Sequence, residues 1–143
     1  MPRPGGKPKQ VIDARSAFQI VHLMEGVVQR GTAMNLASMD RPLAGKTGTT
    51  TGPTNVWFIG GTPDLIAGLY LGYDQPRSLG GYAQGGTIAV PIWRQFGEIV
   101  LKDAPQLPFT VPPGVRMVKV DRRSGKRVFG GTPSTGRRAG VIW

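Results

Sequence analysis

The sequence contains no cysteine. That absence excludes disulfides and thiolate metal sites and leaves the redox compartment undetermined. It has a single histidine, His22; on a helical pattern with no ligand set around it, His22 reads as a packed or surface residue rather than a metal ligand. No apolar run approaches the ~18 residues needed to span a bilayer. Met1-Pro2-Arg3-Pro4-Gly5-Gly6 lacks the apolar segment of a signal peptide, so any export signal is expected on sequence outside this chain. Acidic residues are scarce: 8 Asp+Glu stand against 18 Lys+Arg, a net charge of +10.

At 143 residues the chain has the length of one domain. Its 22 Gly and 13 Pro are unevenly placed, which predicts a folded part with looser ends. The charge is uneven too. Residues 1–102 hold 10 basic and 6 acidic residues, whereas residues 103–143 hold 8 basic and 2 acidic. A basic balance suits an anionic partner such as nucleic acid, anionic lipid or an acidic polymer. Concentrated in a Pro/Gly-rich tail, it reads first as a solvated arm. The pairs Arg122-Arg123 and Lys126-Arg127 around Ser124-Gly125 fit a solvated hairpin, and no nucleic-acid partner is expected.

Residues 1–10 have linker composition. Ala14, Ala17, Phe18, Val21, Met24 and Val28 then recur at spacings of three and four, predicting an amphipathic helix from Asp13, its N-cap, to Arg30, with Gly31 at the C-cap. Residues 32–42 read as a polar connection. Leu43–Thr49, Asn55–Gly61 and Leu65–Tyr73 read as three strands separated by the turn clusters Thr51-Gly52-Pro53-Thr54 and Thr62-Pro63-Asp64, an antiparallel meander. Asp64 and Asp74 look like strand-end turn residues. Residues 74–89 read as a glycine-rich loop. Pro91 opens a second helix whose apolar face is Ile92, Trp93, Phe96, Ile99 and Val100. Trp57, Phe58, Trp93 and Phe96 are expected in the core rather than on a base-stacking surface. A small hairpin is expected from Arg116–Val120 and Arg127–Phe129. The close, Gly140-Val141-Ile142-Trp143, stops within an apolar run and looks truncated. The fold class implied is α+β, an antiparallel sheet with flanking helices.

Ala44-Gly45-Lys46-Thr47-Gly48-Thr49-Thr50 is the stretch that carries chemistry. Gly45-Lys46-Thr47 resembles the end of a phosphate-binding loop, but the leading glycine of that motif would fall at Asp40. The residues after Thr47 also cannot open the helix that such a loop needs. The alternative is the Lys-Thr-Gly motif of penicillin-binding proteins and class A β-lactamases. Lys46 supplies a fixed positive charge. Thr47 and Thr49 offer hydroxyls to a carboxylate. Gly48 lets a ligand lie against the backbone, and an N–H near Thr49 can face a developing oxyanion.

The surroundings of the motif extend the likeness. Gly26-Val27-Val28-Gln29-Arg30-Gly31-Thr32, Ala44 to Thr50, Trp57-Phe58-Ile59-Gly60, Thr62-Pro63-Asp64-Leu65, Gly72-Tyr73-Asp74, Gly85-Gly86, Ala89 and Pro91-Ile92-Trp93 follow one another as in class A penicillin-binding proteins. The chain resembles the C-terminal portion of the transpeptidase domain of these bifunctional peptidoglycan synthases, over residues 11–102. Residues 103–143 then form a basic extension. Asn55 departs from the pattern, since many members carry Asp before the aromatic strand.

This resemblance implies a partial penicillin-binding-protein or serine β-lactamase-like fold. It also implies a reaction in which a serine is acylated by the D-Ala-D-Ala end of a peptidoglycan stem peptide, and a second amine then forms the cross-link. β-Lactams trap the same serine. Lys46 would assist proton transfer and carboxylate binding. Thr47, Gly48 and Thr49 would hold the substrate, with the Thr49 N–H an oxyanion donor. No cofactor is implied. The expected location is the periplasmic side of the cell inner membrane. Two companion motifs, S-x-x-K and S-x-N, are absent: none of Ser16, Ser38, Ser78, Ser124 and Ser134 begins either. A nucleophile and its base must sit together, so the chain alone is expected to be inactive and to need the remainder of the transpeptidase domain. The competing expectation is a non-catalytic basic module binding cell wall or nucleic acid. A serine β-lactamase shares the motif but fits the tail and segment order poorly.

Overall fold

The computed structural model describes residues 9–121, 124–127 and 140–142. Most of the 1–10 linker, Arg122-Arg123, Phe129 and Trp143 lie outside the described residues. The chain divides into two compact units, Met1–Thr110 and Val111–Trp143.

The first unit opens with helix α1, Ala14–Arg30. Asp13 caps it as expected, its carboxylate accepting from the N–H groups of Arg15 at 3.0 Å and Ser16 at 3.3 Å. Gly31 closes it, donating to the Val27 carbonyl at 3.0 Å. The cap is extended rather than left-handed, with φ −112°. Glycine is needed there for room: a Cβ would stand 2.9 Å from Val27 Cα.

The stretch expected as a polar connection instead winds into a 3₁₀ helix, Met34–Met39. Leu36 and the adjoining Ala33 are buried against the core, so packing overrides the polar composition. Asp40, left-handed at φ 49°, ends the turn.

Strands β1 (Ala44–Thr49), β2 (Asn55–Gly61) and β3 (Ile66–Gly72) form an antiparallel sheet in the order β1-β2-β3. Thr47 pairs with Phe58, which pairs with Leu69; Gly48 pairs with Trp57, which pairs with Tyr70. Directly paired residues share a face and neighbours along a strand alternate. Thr47, Thr49, Val56, Phe58, Ala67 and Leu69 therefore point to one side. Lys46, Gly48, Trp57, Ile59 and Tyr70 point to the other.

The chain then enters a π-helical turn, Gly85–Ala89, and runs without a break into helix α2, Val90–Val100. This replaces the end of the loop expected over residues 74–89. Thr87 holds the turn by accepting from the Gln84 N–H at 3.0 Å and donating to the Tyr82 carbonyl at 2.9 Å.

The core lies on the first face of the sheet, where Val28, Leu36, Leu43, Val56, Phe58, Val90, Trp93 and Leu101 cluster. Phe58 and Trp93 meet edge to face, centroids 5.3 Å apart, and the Trp93 indole donates to the Ala67 carbonyl at 3.1 Å. Burying each such side chain stabilises the fold by about 1.5–3 kcal/mol. Two of the aromatics expected in the core are not there. Trp57 is half exposed because alternation places it opposite Phe58, and it packs on Tyr70 at 4.7 Å. Phe96 is half exposed because the buried seam of α2 runs through Val90, Trp93 and Gly97. Ile99, expected on the apolar face, is 77% exposed for the same reason.

In the second unit, β4 (Val118–Val120) pairs antiparallel with β5 (Gly140–Ile142). The expected turn is present: Gly125 donates to the Asp121 carbonyl at 2.8 Å, and Asp121 donates to that of Lys126 at 2.9 Å. Only the single bridge Val120–Arg127 follows it among the described residues. β4 also pairs with β5, a partner the sequence did not suggest; the rest of the hairpin strand expected after Arg127 lies outside the described residues. The fold is α+β.

Candidate active-site strand

β1 is an edge strand: among the described residues it has β2 on one side and no strand on the other. Its ladder can be phased from one bond just beyond its end, Thr50 N–H to the Asn55 carbonyl at 3.2 Å. Hydrogen-bonded pairs alternate with non-bonded ones in an antiparallel ladder. With the register given, Gly48–Trp57 and Lys46–Ile59 are then bonded pairs. The N–H and C=O of Thr47 and Thr49 therefore point away from β2, to the open edge.

The four residues singled out in the sequence, Lys46, Thr47, Gly48 and Thr49, all lie on this strand. Lys46 starts on the face opposite the two threonines, but its flexible stem folds back and the ammonium donates to the Thr47 carbonyl at 2.7 Å. No carboxylate pairs with Lys46 among the described residues. Gly48 fits beneath Trp57, where a Cβ would stand 3.3 Å from Trp57 Cβ.

Both threonine hydroxyls are held by groups outside the strand. Thr49 Oγ1 accepts from the Gly85 N–H at 2.9 Å, which leaves the Thr49 proton to donate elsewhere. Thr47 Oγ1 lies 2.7 Å from Thr32 Oγ1. The π turn approaches closely because residue 85 is glycine: a Cβ there would stand 2.7 Å from the Trp57 carbonyl oxygen and 2.8 Å from that of Gly48. Sequence reasoning gave Thr32 and Gly85 no role at the site. Both stand in segments that carry the family resemblance, but their contacts with β1 depend on how α1 and the π turn pack on it, which the sequence pattern does not give.

His22 pairs with Glu25 at 3.1 Å and stacks on Phe18. Among the described residues, no three His, Cys, Asp or Glu side chains cluster to hold a metal.

Comparison with known proteins gives this edge a context. The family profile described as "Penicillin binding protein transpeptidase domain" matches residues 3–97. The chain belongs to the penicillin-binding-protein transpeptidase family. Within the family it is similar to the class A members named penicillin-binding protein 1A: 45% identical over 116 residues to that of Rickettsia bellii, covering 81% of this chain. It is 37% identical over 126 residues to that of Pseudomonas aeruginosa, covering 87%. In each case the match spans 15% of the relative's own length. The crystal structure of penicillin-binding protein 1A from Haemophilus influenzae superposes with a TM-score of 0.74 at 25% identity, over 92% of this chain and 21% of that one. The fold is thus part of a penicillin-binding-protein fold.

Proposed function

We propose that this chain supplies the Lys-Thr-Gly strand of a peptidoglycan D,D-transpeptidase that forms a serine acyl-enzyme. Residues 11–102 are its share of the transpeptidase domain, and residues 103–143 a basic extension. The observation that carries the reading is the edge of β1, where a cation, two hydroxyls and a backbone segment with no second strand partner among the described residues converge.

A D-Ala-D-Ala peptide can lie along that edge as an added strand. Its terminal carboxylate meets the Thr47 and Thr49 hydroxyls and the field of Lys46, since charge-assisted hydrogen bonds are roughly twice as strong as neutral ones. The Thr49 N–H faces the carbonyl under attack and stabilises negative charge as it develops there. The attacking serine comes from an S-x-x-K segment that this chain does not contain. Its oxygen forms an ester with the penultimate D-Ala carbonyl as the peptide bond breaks, and terminal D-Ala leaves carrying the serine's proton. An amine of a second stem peptide then takes the acyl group. β-Lactams enter the same site and stay as the ester. The location proposed is the periplasmic side of the inner membrane.

Fluorescent penicillin tests this. The chain alone is expected to remain unlabelled. The domain completed with its S-x-x-K and S-x-N segments is expected to label, and Lys46→Ala is expected to slow labelling about 10²-fold or more. Covalent label on the isolated chain, or full-rate labelling of Lys46→Ala, contradicts the proposal.

A further inference from the structure

We infer that Thr32 is a positioning residue for the Thr47 hydroxyl, and that it tunes the site toward ligands bearing a free carboxylate. The inference rests on the reading that Thr47 binds the substrate carboxylate.

Thr32 Oγ1 and Thr47 Oγ1 are 2.7 Å apart, the usual separation of an O–H···O bond. Each hydroxyl has one proton. If Thr47 is to donate to an anion, its proton cannot also lie between the two oxygens. The proton in that bond then belongs to Thr32. With Thr32 as donor, Thr47 is held as an acceptor from behind while its own O–H points to the ligand. The bond also polarises that O–H and strengthens its donation. Gly85 does the same for Thr49 with a backbone N–H. The two ligand-facing hydroxyls therefore each have one dedicated donor, one from the exit of α1 and one from the π turn.

The backbone around Thr32 is suited to this task. The N–H groups on either side of it, those of Gly31 and Ala33, both donate to the Val27 carbonyl, at 3.0 and 3.1 Å. Its own carbonyl is packed by Gly86, where a Cβ would approach to 2.5 Å. Ala33, the next residue, is fully buried. With its backbone fixed on both flanks, the exposed Thr32 side chain has only its own rotation to lose when it donates, which suits a positioning group.

The test compares benzylpenicillin with its methyl ester, which lacks the anion, as acylating agents of the domain completed with its S-x-x-K and S-x-N segments. Thr32→Val is expected to lower the acid-to-ester ratio of acylation rates about tenfold, and Thr32→Ser to restore it. In Thr32→Val/Thr47→Val the ratio should be no lower than in Thr47→Val alone, because the two residues act as one unit. Thr32→Ala provides the same deletion should the valine variant fold poorly, with thermal midpoints recorded for each. A ratio that Thr47→Val lowers and Thr32→Val and Thr32→Ala leave intact overturns the inference about Thr32 alone. A ratio that Thr47→Val leaves intact overturns the carboxylate reading beneath it.

Discussion

The Gly85 N–H donates to Thr49 Oγ1 across 2.9 Å, joining positions 36 apart in the chain. The bond can form only because the π turn lies directly over the Gly48–Trp57 pair. A Cβ at residue 85 would meet two carbonyl oxygens and Thr47 Cβ, all under 3.0 Å. Gly85→Ala is therefore expected to destabilise the fold by about 1–3 kcal/mol and to displace the turn from β1. Chemical denaturation measures the first effect, and the Thr49 resonances report the second. A variant with wild-type stability and an unmoved Thr49 contradicts this packing.

Trp93 ties α2 to the sheet through its ring against Phe58 and its N–H on the Ala67 carbonyl. Trp93→Ala is expected to cost about 3–5 kcal/mol. Trp93→Phe, which keeps much of the volume but leaves that carbonyl without its donor, is expected to cost about 1–3 kcal/mol. Urea midpoints of the two variants check the order; equal losses would assign the whole effect to the missing N–H donor and none to the ring packing.

Asp13 provides a pH test. Its hydrogen bond from the Arg15 side chain, and then that from the Ser16 N–H, hold its carboxyl below the ordinary value of 3.8. The folded pKa lies below the unfolded one, so the contribution to stability is complete above the unfolded value and is lost as pH falls through the folded value. The thermal midpoint is expected to drop on acidification below about pH 4, and Asp13→Asn, which keeps a cap, is expected to flatten that part of the profile. An identical acid slope in the asparagine variant would remove Asp13 as its source.

The outer face of the sheet carries Trp57, Ile59 and Tyr70, and Ile66 begins β3 with 75% exposure. β3 is also an edge strand among the described residues. Exposed apolar surface beside an open edge favours association. In isolation the chain is expected to be marginally stable and to self-associate with rising concentration, as sedimentation would show. A monomer with a sharp cooperative melt contradicts this expectation.

Legibility of the fold followed the strength of local signals. β2 was readable to its ends, because an aromatic and β-branched run lies between two turn clusters. α1 was readable because Asp13 and Gly31 bracket a regular spacing. The π turn was not, since Gly85-Gly86 in isolation reads as loop and only its contact with β1 gives it shape. Trp57 was misplaced because aromatic character alone does not choose a face; its pairing partners Gly48 and Tyr70 do. The strand of the candidate site was legible from Lys46 to Thr49. Its supports were not, because Thr32 and Gly85 reach it from distant parts of the chain.

A crystal structure of the completed domain acylated by penicillin tests the central claim most directly. The ligand carboxylate is expected within about 3 Å of the Thr47 and Thr49 hydroxyls, and the ester carbonyl oxygen on the Thr49 N–H. An acyl group whose carboxylate turns away from β1, with the Thr49 N–H facing solvent, would contradict the account.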